Sequence, residues 1–246
     1  MNGQRDDRSG PVPTRAHLEP VNLWSAALGR GLGELASGPA GLLISSAFRV
    51  MPRQDRSLES VERLLAATVR ILCRRRRLDG ITLEAVAREA GVTVQAAYRY
   101  FADIHDVIRL AVRRVQATAC ESLLAHLTAH SFQTEHDLAS AIVAFVTSAC
   151  EQAGRLPDPL RHHLANRYFD VGDEALWMVA ETAHAVFIRG EGRCAALTVP
   201  QINAGLVAIV AVSRSFLLRD ALLMGAPESL HLMRAVLLGA LLPTAG

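Results

Sequence analysis

TLEAVAREAGVTVQAAYRYF, residues 82–101, decides how this chain is read. Thr82 has the side chain of a helix N-cap, and Glu84 falls in the first turn, where a carboxylate suits the helix dipole. Leu83, Val86, Ala87 and Ala90 recur at helical spacing and make one apolar face. Gly91 stops that helix, since glycine enters the left-handed region at little cost. Thr93 caps a second helix two residues later. Two helices that cross at a tight corner need small side chains where they touch, and Ala87, Val92 and Ala97 supply them. Thr93, Val94, Gln95, Ala96, Tyr98 and Arg99 are left facing outward. A helix-turn-helix carrying that face suits the major groove of DNA.

Working outward, Ser57 and Ser60 read as caps of a preceding helix, with Val61, Leu64, Leu65, Thr68, Val69 and Leu72 as its apolar stripe. Arg74 to Arg77 follow, and Asp79-Gly80 turns the chain into Thr82. After Phe101, which reads as core, Asp103 caps a helix running to about Ala129. Further helices are expected at 135–153, 159–170, 173–189, 200–224 and 227–241, punctuated by Pro157, Pro159, Pro200 and Pro227. No alternating strand pattern and no repeat is present, so the chain reads as all-α. Residues 1–20 lack periodicity. Gly29, Gly31, Gly33, Gly38 and Gly41 interrupt residues 21–51, apart from a short helix near Leu23 to Leu28. Residues 1–56 therefore read as a largely disordered or loosely structured extension. Residues 1–50 read as dispensable, with Met51 offering an alternative start.

Charge supports the division. Residues 57–115 hold 11 Arg and 7 acids, whereas residues 116–246 hold 8 Arg and 12 acids, a basic head on an acidic body. Every basic residue other than His is Arg. Cys73, Cys120, Cys150 and Cys194 are scattered without metal-ligand spacing, so the chain reads as cytoplasmic with reduced thiols. His126 and His130 share a helix face, but nothing is placed to complete a metal shell, and neither a metal nor another cofactor is expected. No secretory signal is evident, and the apolar stretch near 204–224 is broken by Arg214, Arg219 and Asp220, so no membrane partner is expected. No G-x-S-x-G, H-E-x-x-H, P-loop or dinucleotide glycine motif occurs, and the chain does not read as an enzyme.

From Val61 to Leu110 the chain resembles the TetR family of bacterial transcriptional regulators. The match runs through the apolar first helix, Ile81-Thr82-Leu83, Ala87, Gly91-Val92-Thr93 and Tyr98-Arg99-Tyr100-Phe101. It departs at Arg77, where the family often has glycine, and at Ile104, where it often has lysine near a phosphate; His105 stands beside that place. The resemblance implies a three-helix DNA-binding domain at 57–102, followed at 103–246 by a helical domain for effector binding and dimerisation. It also implies a repressor released from double-stranded operator DNA by a small molecule. Gln95 can pair bidentately with adenine and Arg99 with guanine, and Val94 and Ala96 can touch a thymine methyl. Thr82, Thr93, Tyr98, Tyr100 and His105 join the interface as backbone ligands, although Tyr100 reads equally as core. Arg74 to Arg77 add charge if they reach the backbone.

Two heads on a two-fold dimer would reach successive grooves roughly 34 Å apart. The greasy last two helices read as the interface, through Leu206, Ile209, Val210, Phe216, Leu217, Leu230, Met233 and Leu237. Phe145, Tyr168, Trp177, His184 and Phe187 are the candidate lining of an effector pocket. The few charges near them favour a lipophilic ligand. The competing reading is a DNA-binding regulator without a small-molecule effector, controlled by a partner protein or by cysteine oxidation.

Overall fold

The computed structural model describes residues 31–38, 41–45, 48, 52, 54–75, 78–130, 132, 134–154, 158–167, 173–189, 197–219 and 226–241. Every regular element among them is an α-helix, and no strand occurs among the described residues. In chain order these are α1 (Leu32–Ser37), α2 (Gly41–Ser45), α3 (Asp55–Arg75), α4 (Leu83–Ala90), α5 (Val94–Tyr100) and α6 (Ile104–Ala129). Beyond them lie α7 (Glu135–Gly154), α8 (Asp158–Arg167), α9 (Asp173–Arg189), α10 (Val199–Arg219) and α11 (Pro227–Leu241).

Local signals set most of the boundaries. Asp103 Oδ1 accepts from the His105 and Asp106 N–H groups at the start of α6. Thr134 and Asp137 bond reciprocally ahead of α7, as a capping box does, and the Gln201 side chain reaches back to the Thr198 N–H ahead of α10. The third helix departs from expectation. It begins at Asp55, ahead of Ser57, and the Ser60 hydroxyl donates back to Arg56 O at 3.0 Å within the helix instead of capping it.

Two apolar clusters divide the interior. The first gathers α1 to α5 and the near half of α6, including Leu64, Leu65, Val86, Ala97 and Phe101, together with Leu164 of α8 and Ala175 of α9. The second gathers the far half of α6 with α7, α9, α10 and α11. Helix α6, about 39 Å long at 1.5 Å per residue, belongs to both. Its Val107, Ile108 and Leu110 lie in the first, and its Leu123, Leu124 and Leu127 in the second. Packing therefore changes over inside α6, between Cys120 and Leu123.

The segment expected to be loose contributes to the first cluster. Leu32, Leu35, Leu43 and Ile44 are buried, and the Phe48 ring stacks on Phe101 at 6.0 Å. Helix α1 has no side-chain cap on Gly31; instead the Leu32 N–H donates to Glu62 Oε1 at 2.7 Å. The other carboxylate oxygen of Glu62 accepts from the buried Arg114 guanidinium of α6. One side chain on α3 thus ties α1 to α6. The short helix expected near Leu23 lies outside the described residues.

The last two helices meet differently from the sequence reading. Leu206, Ile209, Leu217, Met233 and Leu237 are fully buried inside this one chain, while Val210, Phe216 and Leu230 are partly buried against the same cluster. The reason is Gly205. A Cβ there would lie 2.5 Å from Leu237 Cδ1 and 3.3 Å from Ala240 Cβ, so the missing side chain lets α10 and α11 close on each other through the faces expected to meet a partner. Helix α10 is long and apolar enough, by length and composition alone, to cross a bilayer; a third of its most apolar window is buried. Arg161 of α8 donates to Leu217 O at 3.0 Å, and Arg214 of α10 returns to Ala165 O at 2.9 Å, clamping α8 to α10 from both ends.

Candidate nucleic-acid interface

Helices α4 and α5 are built by backbone rules that the sequence states openly. Thr82 Oγ1 accepts from the Ala85 N–H and Thr93 Oγ1 from the Ala96 N–H, both at 3.2 Å, so each short helix has a capped N-terminus. Gly91 takes φ 63° and ψ 33°. Its N–H donates to Arg88 O, and the Val92 N–H donates to Ala87 O at 3.0 Å, the paired bonds of a Schellman ending. The corner is braced from α3 by Arg63, whose guanidinium donates to Gly91 O at 3.4 Å. Ala87 and Ala97 have no exposed surface, and Val92 packs against them from the edge of the cluster.

The burial pattern leaves one side of α5 open. Thr93, Val94, Gln95, Tyr98 and Arg99 are exposed and Ala96 is half-buried, whereas Ala97 and Tyr100 are buried. Tyr100 therefore takes the core role; its ring lies 5.8 Å beneath the Arg99 guanidinium. Thr82 is exposed at the start of α4. His105 is half-buried, its imidazole stacked on His163 of α8 at 6.5 Å, which turns it toward the body. Burial pulls the His163 pKa down, with smaller contributions from Arg167 and His105 in the same direction and an opposing one from Asp79.

One contact on this face has no signal in the sequence. The Tyr98 phenol donates to Glu84 Oε1 across the corner. That bond lowers the Glu84 carboxyl below its ordinary range and raises the Tyr98 hydroxyl. The two residues are fourteen apart in sequence, and only the crossing of α4 over α5 brings them together. A second network flanks α4, where Glu89 accepts from Arg74 at 2.9 Å and from Arg70 at 3.4 Å; the Arg74 bond leads in lowering its carboxyl.

The residues expected to line an effector pocket differ in burial. Phe187 is sealed in the second cluster, Phe145 and His184 are half-buried, and Trp177 is 41 % exposed with its indole N–H on Glu181 at 3.0 Å. Tyr168 lies outside the described residues. Cys120 and Cys150 are buried, and burial pushes both thiols up to about 12. His126 and His130 sit with ring centroids 4.3 Å apart, and no group of three or more metal-ligating side chains occurs among the described residues. No protein-family model, no curated protein and no solved structure matches the chain.

Proposed function

We propose that this chain is a TetR-like DNA-binding transcriptional regulator, a repressor that leaves its operator when a small lipophilic ligand binds the helical body. The observation that carries the reading is the exposed row Thr93, Val94, Gln95, Tyr98 and Arg99 on a capped helix held against a glycine corner by a fully packed core. The side chains of that helix carry the donors and acceptors that read base edges and phosphates. Wild-type protein should enrich a defined duplex from a random-sequence library. Arg99→Ala should then cost roughly 1–3 kcal/mol on that duplex, read by fluorescence anisotropy, and relax the preference at one position. Equal binding by the variant removes Arg99 from the reading set.

The dimer in this proposal uses the outer face of the last helices. Ala204, Val207, Ala211 and Ser215 on α10 and Leu232, Ala235 and Gly239 on α11 are exposed at helical spacing, with Val207 at 43 % and Leu232 at 48 %. A row of small and apolar side chains lets helices of a second copy approach closely. Val207→Glu with Leu232→Glu should weaken self-association by a hundredfold or more, about 3 kcal/mol for two central apolar positions, measured by sedimentation equilibrium. Unchanged association would move the interface elsewhere. Control by cysteine oxidation is disfavoured at Cys120 and Cys150, because a buried thiol held near pKa 12 offers almost no thiolate.

A further inference from the structure

Between the end of α3 and helix α4, a cavity of about 430 Å³ is lined by Ile71, Arg74, Arg75, Ile81, Ala85, Arg88 and Glu89. We infer that this groove holds a backbone phosphate of the same DNA duplex, outside the segment that α5 reads; the inference rests on the DNA reading above. Three guanidinium groups face one carboxylate, so the groove is positively charged. Glu89 offsets Arg74 through their 2.9 Å contact. Arg75 donates to Gly80 O at 3.1 Å, a neutral bond that leaves its charge uncompensated and further N–H donors available. Arg88 forms no ion pair among the described residues and is exposed.

Placement favours DNA over a free anion. Arg88 lies one helical turn beyond Glu84, the residue that receives the Tyr98 phenol, and so shares with it the same side of α4. Ile81 carries the groove to the capped start of α4 at Thr82. In this inference a duplex seated on α5 passes its neighbouring strand along the Arg88 side of α4. Guanidinium forks match phosphate oxygens bidentately. The apolar floor of Ile71, Ile81 and Ala85 suits the carbon edge of the adjoining deoxyribose. Glu89 sets the strength of the site by holding Arg74 back.

The test measures affinity against salt concentration for two probes: the duplex that wild-type protein enriches, and an unrelated duplex. Arg88→Gln should weaken both equally, about eightfold at 0.1 M relative to 1 M salt, and flatten the log–log slope by about 0.9, the loss of one counterion release. Glu89→Gln should do the opposite, tightening both and steepening the slope, because Arg74 is freed. Arg219→Gln, the same charge lost from the far end of α10, should change neither. Wild-type slopes in both Arg88→Gln and Glu89→Gln overturn the groove; if Arg99→Ala still erases preference in that case, the reading face stands without it. An Arg88→Gln effect no larger than that of Arg219→Gln also overturns it, as does a groove that takes inorganic phosphate by calorimetry yet leaves the DNA slopes unmoved. Failure of the wild type to enrich any duplex brings down both proposals.

Discussion

A chain beginning at Met51 is expected to lose the cooperative unfolding transition that the full chain shows in urea. The missing segment would take Leu32, Leu35, Leu43 and Ile44 out of the first cluster, all of them at 5 % exposure or less. Burying one Leu or Ile side chain is worth about 1.5–3 kcal/mol, so four account for roughly 6–12 kcal/mol. That is an upper figure, since a real unfolded chain already hides part of this surface. It is still comparable to the whole stability of an ordinary domain, about 5–15 kcal/mol. The truncated chain would also expose Phe101, on which Phe48 stacks, at the hinge between α5 and α6. Circular dichroism of the truncated protein should show reduced helix and a broad, early transition. A subtler variant keeps the test informative if truncation only yields aggregate: Leu35→Ala in the full chain should cost about 2–5 kcal/mol by leaving a cavity. A truncated chain with the parent's urea midpoint would show that α1 and α2 merely lie on a core complete without them.

That segment escaped the sequence for a definite reason. Helices of six and five residues are too short to display a period, and their flanking glycines read as breaks. Their burial comes from long-range partners on α3 and α6, which no local pattern announces. The α4–α5 corner was legible because its determinants are local: two threonine caps, one left-handed glycine and two alanines at the crossing. Helix α10 shows the opposite limit. Ile202, Leu206, Ile209, Ser213 and Leu217 point inward, while Ala204, Val207 and Ala211 point outward. Both rows are mainly apolar, Ser213 apart, so periodicity could not choose between them. The close approach at Gly205 chose, and it is a property of two helices together. The Tyr98–Glu84 bond was hidden likewise, because it depends on a crossing angle.

The tie between α1, α3 and α6 yields the second large effect. Glu62 should be far less replaceable than its partner Arg114. Its two oxygens have separate duties: one accepts the first N–H of α1 at 2.7 Å, and the other accepts from the Arg114 guanidinium, whose side chain is 3 % exposed. Glu62→Ala takes the carboxylate away from a buried cation and leaves a helix N–H without its acceptor. Breaking a buried pair from one side costs about 3–5 kcal/mol. The Glu62 side chain is 29 % exposed, which argues for the lower end, about 3 kcal/mol. Arg114→Met keeps the length and the packing and removes the charge that needs compensation. Glu62 then stays partly hydrated and still receives the Leu32 N–H, so the cost should be about 1 kcal/mol or less. The double variant should be more stable than Glu62→Ala alone, because the buried cation that lost this carboxylate is gone. Urea midpoints for the four proteins of this cycle give the coupling directly, expected near 2 kcal/mol. Should Glu62→Ala cost only about 0.5 kcal/mol, the pair behaves as a surface ion pair, and α1 is held by its leucines alone.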